Sequence, residues 1–152
     1  MILSILERYV SLSISKIKLE RLLDSAVGNE EVENIEKDLR IVKASIDYMH
    51  EKIINKISFL TMEELNDLSK CLEFKTKTIK SEMNETVTLL KMSTTNKEVA
   101  LKNKDAVAVK TYNGIIDDAV HKREEQQEEL SCYNNTLTLC LKIRNARDLT
   151  KF

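Results

Sequence analysis

Apolar residues at Val32, Ile35, Leu39, Val42, Ile46, Met49 and Ile53 recur at alternating steps of three and four, which is the stripe of a coiled-coil helix. The stripe stops at Ile57 and Leu60. Thr61 follows with Glu64 three residues later, the pairing in which a hydroxyl and a carboxylate each satisfy an orphan amide at a helix start. A second helix is therefore predicted from Met62, with its own stripe at Leu65, Leu68, Leu72, Ile79, Met83, Val87 and Leu90. Two helices folded back on each other should keep a constant sum of facing residue numbers. Ile57 with Leu65, Met49 with Leu72, Leu39 with Met83 and Val32 with Leu90 do so to within one, and the relation carries outward to Leu6 with Ile115 and Leu3 with Ala119. The pattern predicts an all-α fold, a long antiparallel two-helix coiled-coil hairpin over residues 1–130 with its turn near 58–62.

Two weak points qualify the hairpin. Gly28-Asn29 interrupts the broad apolar stripe of residues 2–27, and Ser93-Thr94-Thr95-Asn96 is a run of poor helix formers at the facing position. They read as kinks in a shared waist, or as the loops of an up-down four-helix bundle with helices near 2–27, 30–58, 62–92 and 97–146. The hairpin is favoured because Lys97, Lys102 and Lys104 would put charge on the face a bundle buries. Asn113-Gly114 is a turn signal that argues against an unbroken returning helix. Residues 131–152 have no partner left at the amino end and no clean period, so they are expected to overhang as a flexible tail.

Composition narrows the function. The chain has 152 residues, 42% apolar and 32% charged, with two Gly, no Pro and no Trp, a long-helix profile. A formal charge of −1 argues against nucleic acid, whose partners carry a marked basic excess. Glu7 and Arg8 interrupt the apolar start before a signal-type core can form, and no apolar run approaches the roughly 20 residues of a membrane helix. The three cysteines, Cys71, Cys132 and Cys140, lack metal-type spacing and leave an odd one over, which fits a reducing compartment. The expected location is the cytoplasm.

Candidate chemistry is sparse. Asp47 with His50 and Asp117 with His121 share helix faces, a spacing that suits an ion pair better than a metal site. The two glycines, Gly28 and Gly114, build no phosphate loop. No enzyme, cofactor or metal is expected. Surface recognition remains, and Tyr48, Phe59 and Phe74 near the turn are placed as a docking tip, since aromatics are frequent interface anchors.

An amphipathic first helix, a capped turn reading LTMEEL near the middle, and a second helix ending in a Glu/Gln/Lys-rich stretch together resemble the stalk proteins of type III secretion systems. These are the SctO/YscO-like proteins and their flagellar relative, the FliJ-type export component. The resemblance covers most of residues 2–130 and is one of architecture and turn signature. It implies a non-enzymatic monomer whose terminal end inserts into the hexameric export ATPase, and which also contacts the export gate and secretion chaperones. By position along the rod, Leu3, Leu6, Val10, Ile115, Ala119 and Arg123 would face the ATPase, and Tyr48, Phe59 and Phe74 would meet the gate or chaperones. The alternative is a dimeric helical adaptor, a chaperone or a secreted coiled-coil protein.

Overall fold

The capping box at Thr61 forms as the spacing predicts. The Thr61 hydroxyl accepts from the Glu64 amide at 3.1 Å, and the Glu64 carboxylate accepts from the Thr61 amide at 3.0 Å. In a computed structural model that describes residues 1–150, this box opens the third of four helices. These are α1 (Ile2–Ser25), α2 (Asn29–Ser58), α3 (Met62–Lys102) and α4 (Ala106–Leu149). Among the described residues there is no strand.

Gly28 turns the chain between α1 and α2. Its φ of 94° lies where a Cβ is strained, and its carbonyl accepts from the Val32 amide to start α2. The α3–α4 turn uses different chemistry. Lys104 takes φ 57°, and the Asp105 carboxylate accepts from the Ala108 amide at 3.1 Å to cap α4.

The helices pair as α1 with α2 and α3 with α4, and α1 lies against α4 to join the two hairpins. The expected hairpin around Thr61, with α2 facing α3, is not among these packings. The stripe of α2 is present, since Leu39, Met49, Ile53 and Ile57 are buried, but α1 covers most of it. A heptad stripe specifies a period and an angle; it does not specify which apolar helix will fill it. The four-helix alternative describes the architecture better, with its third break at 103–105 in place of 93–96.

A polar contact sets the α3–α4 register. The Thr86 hydroxyl lies 3.0 Å from Gln126 Oε1, inside the seam. This register sets Ser93 opposite Ala119, Ile79 opposite Tyr133 and Leu72 opposite Cys140, and all six residues are buried. The working heptad of α3 is thus Leu65, Ser69, Leu72, Thr76, Ile79, Met83, Thr86, Leu90 and Ser93. Small and hydroxyl side chains hold several seam positions. Ser69 and Thr76 close their hydroxyls onto the carbonyls of Leu65 and Glu73, so their burial leaves no donor unpaired.

Polar contacts tie α1 to this coiled coil. Lys18 pairs with Glu125 at 3.4 Å, and Arg21 reaches Glu124 at 3.0 Å and the His121 carbonyl at 2.9 Å. Near the other end, Lys75 of α3 lies 3.9 Å from Glu7 and 5.3 Å from the Tyr133 ring centroid. The main core joins Leu6 and Val10 of α1, Ile53 and Ile57 of α2, Leu65, Leu68 and Leu72 of α3, and Leu130, Tyr133 and Cys140 of α4.

The carboxyl-terminal stretch is therefore structural. Residues 131–149 continue α4 and supply Cys132, Tyr133, Thr136 and Cys140 to the interior. Arg147 donates to the carbonyls of Ser58 and Leu60, groups that α2 and its turn leave without intrahelical partners. The overhanging tail expected over 131–152 is corrected for residues 131–150; residues 151–152 lie outside the described residues.

Asn113-Gly114 does not turn the chain, since both lie inside α4. No heavy atom outside the local helix backbone lies within 4 Å of where a Gly114 Cβ would stand. Gly114→Ala is accordingly expected to stabilise the protein by roughly 0.5–1 kcal/mol, read as a higher urea midpoint with an unchanged slope.

Candidate functional site

The helix lengths leave one end of the α3–α4 pair uncovered. Arg21, in the last turns of α1, is level with His121 and Glu124, and α1 stops at Ser25. Beyond this point α3 runs on to Lys102 and α4 returns from Ala106. About ten residues of each helix, roughly 15 Å at 1.5 Å per residue, project past the α1–α2 loop. The three lysines that disfavoured a bundle core sit on this projection, where Lys102 and Lys104 are exposed and Lys97 is half-buried. No bundle face has to bury them.

The projecting end is apolar as well as basic. Val99, Leu101 and Val107 are 51%, 54% and 78% exposed. A groove of about 380 Å³ between the two helices is lined by Ala100, Leu101, Lys104, Asp105, Ala106, Val109, Lys110 and Asn113. Sequence reading missed this tip because it contains neither Gly nor Pro. The available signal was Asp105 placed three residues before Ala108 at the head of Ala-Val-Ala-Val, an N-cap pattern.

The residues assigned to an ATPase-facing end are not brought together. Leu3 borders a groove with Phe59, Leu60 and Met1 beside the Thr61 turn, and Leu6 and Val10 are buried in the core of that same end. Ile115, Ala119 and Arg123 lie at the opposite end, near the limit of α1. Ala119 is buried, Ile115 is half-buried and Arg123 is exposed. Leu6, Val10 and Ala119 are thus corrected from contact residues to packing residues.

Tyr48, Phe59 and Phe74 are exposed, at 63%, 89% and 72%. They do not share one groove. Tyr48 lies with Arg8, Leu12 and Ile41 on the α1–α2 face, with Lys52 Nζ 6.0 Å from its ring centroid. Phe59 belongs to the turn, and Phe74 points outward from α3.

No protein family, curated relative or solved structure matches the chain.

Reactive chemistry is weak where side chains converge. A cleft of about 290 Å³ between α1, α2 and α4 is lined by Tyr9, His50, Ile53, Cys132, Asn135 and Lys142, among others. The Tyr9 and His50 ring centroids are 6.0 Å apart. His121 belongs to the far end, beside Arg21, so the two histidines do not combine. Burial pushes the Cys132 thiol up, with the Glu128 and Glu129 carboxylates adding to the rise and the Ser13 hydrogen bond opposing it. A thiol held protonated is a poor nucleophile. Among the described residues no group of three or more His, Cys, Asp or Glu side chains is arranged to hold a metal. No helix among them is long and apolar enough to cross a membrane.

Two buried acids give a pH prediction. Burial raises the Cys140 thiol from 9.0 to about 11 and the Tyr133 phenol from 10.0 to about 12, the latter helped by Glu129 and Glu7. Both groups hold their protons longer in the folded chain than in the unfolded one. Their stabilisation is complete below pH 9 and is lost as pH climbs through 11 to 12. Thermal melts should therefore hold steady up to pH 9 and fall steeply above it. At pH 8, a thiol reagent should modify half-buried Cys71 at once, and Cys132 and Cys140 only on unfolding.

Proposed function

We propose that this chain is a non-enzymatic helical interaction protein. A base containing all four helices holds α3 and α4 in one register, and the free end of that hairpin is offered to a partner. The observation that carries the reading is the uncovered end, which places exposed Val99, Leu101 and Val107 on a stiff projection beyond Ser25. Exposed apolar side chains grouped at one place mark contact surfaces more often than single ones do.

The narrower form of the proposal is a stalk or adaptor of a type III secretion export apparatus, binding the hexameric export ATPase and the export gate or chaperones. The sequence resemblance supports it, together with the stiff, asymmetric shape of the α3–α4 pair. An asymmetric rod inside a six-fold ring favours one subunit state at a time through its differential contacts. ATP chemistry would belong to the ring. Because Leu6 and Val10 are core residues, the end entering the ring in this form is the hairpin tip.

The test is ATP hydrolysis and hexamer formation by the cognate ATPase, with and without the protein. Stimulation or hexamer stabilisation that is lost on shortening the tip supports the stalk. Absence of binding, with no change in rate, removes that form.

A second reading, a dimeric adaptor, is favoured by the apolar groove at the base. Met1 and Phe59 there are almost fully exposed beside Leu3 and Leu60. Solution mass separates the two, since a stalk runs as an elongated monomer.

A further inference from the structure

The hairpin tip differs in charge from the chain that carries it. Residues 97–110 contain Lys97, Lys102, Lys104 and Lys110 against Glu98 and Asp105, in a chain of formal charge −1. Asp105 is already engaged with the Ala108 amide. Among the described residues none of the four lysines forms an ion pair, in contrast to Lys16, Lys18 and Lys75. Their charges are available to a partner.

The surface between them is a shallow groove whose floor is mostly aliphatic. Ala100 and Ala106 are small, Leu101 and Val109 add aliphatic surface, and Lys104 and Lys110 are the two cations that line the groove. Lys104 also occupies the left-handed backbone region, at φ 57°. An L side chain with a Cβ costs about 1 kcal/mol there, and glycine is the usual occupant. The turn thus keeps a cation beside the groove at a position where local conformation favours no side chain. Strained positions of this kind are found preferentially at binding sites.

We propose that this groove docks an acidic amphipathic segment of a partner protein. One or two aliphatic side chains of that segment seat over Ala100, Leu101, Ala106 and Val109, and its carboxylates pair with Lys104 and Lys110, with Lys97 and Lys102 adding to the field. The charge of the tip selects the sign of the partner, and the groove selects an aliphatic side chain over a bare polyanion. A protein segment fits better than an anionic bilayer, because the apolar surface is a groove and the groove is lined by no aromatic, whereas membrane-interface anchors are rich in Trp and Tyr. The proposal rests on the reading of the chain as an interaction protein and specifies the partner's chemistry.

The experiment uses the full chain and a labelled helical peptide with leucines at three- and four-residue spacing flanked by glutamates. Control peptides carry lysine for glutamate, or serine for leucine. Fluorescence anisotropy should show binding of the acidic leucine peptide alone, weakened by high salt. Lys104→Glu with Lys110→Glu should weaken it by more than about tenfold and transfer the preference to the lysine peptide. Leu101→Ser should weaken it without reversing that preference. These positions lie outside the main core, so circular dichroism of each variant should match the parent.

Hydrogen exchange should show protection confined to residues 97–113. Equal binding of all three peptides, no binding, or binding that ignores the charge reversal overturns the proposal. Protection at the Phe59 groove overturns it too while leaving the interaction reading standing, which separates the two failures. Capture of phosphatidylserine vesicles by the tip, with no peptide bound, overturns it in favour of a membrane.

Discussion

Truncation after Leu130 is expected to abolish cooperative folding. The deleted segment contributes Cys132, Tyr133, Thr136 and Cys140 to the interior, and its loss would uncover Leu65, Leu68 and Leu72 on α3 and Ile53 and Ile57 on α2, which share the same core. Each large aliphatic or aromatic side chain returned to water costs about 1.5–3 kcal/mol. Half a dozen such losses come to about 9–18 kcal/mol, as large as the roughly 5–15 kcal/mol by which domains are stable. Arg147, which satisfies the Ser58 and Leu60 carbonyls, is removed as well. A thermal melt by circular dichroism should show a broad, shallow loss of helix in place of a sigmoid. An unchanged melt would return residues 131–150 to the status of an overhang.

Leu72→Ala should be among the most damaging single substitutions along α3, at roughly 2–5 kcal/mol. Its side chain is fully buried, in the register that opposes Cys140. Val87→Ala should cost about 1 kcal/mol or less, because Val87 is only half-buried and stands beside the seam. Both residues belong to the apolar stripe read from sequence, so urea unfolding of the two variants separates the stripe from the true packing line. Equal losses would place Val87 in a seam and revive a partner on that side of α3.

The turn between α1 and α2 and the start of α3 were legible, and for chemical reasons. Thr61 and Glu64 announce α3, Gly28 turns the chain between α1 and α2, and the apolar stripe of α2, with that of α3 as far as Met83, lies where the spacing puts it. The pairing was not legible. Thr76, Thr86 and Ser93 are buried seam residues that no count of apolar positions includes, so the stripe of α3 was read one residue away from its packing line at Val87. The turn at 103–105 was hidden because Lys104 adopts a backbone conformation usually given to glycine. Asn113-Gly114 gave the opposite error, since a helix held along its length by a partner tolerates a turn signal on its exposed face.

The candidate surfaces fared according to the same geometry. Tyr48, Phe59 and Phe74 are exposed but are not gathered into one tip, because Tyr48 and Phe74 stand on different helices and Phe59 belongs to the turn. Leu6, Val10 and Ala119 were misplaced as contact residues, because their role depended on which helix lay alongside. The basic, apolar tip could not be located until the α3–α4 turn was known.

Helix α3 packs along α4 and not along α2. Oxidative cross-linking of two double-cysteine variants in a Cys71→Ser background tests it directly, with Cys132 and Cys140 shielded by burial. Ser93→Cys with Ala119→Cys, opposed in the α3–α4 register, should close rapidly to a disulfide, since bridging requires Cα atoms within about 7 Å. Leu39→Cys with Met83→Cys should remain reduced under the same conditions. Rapid closure of the second pair, with the first left open, would place α3 against α2.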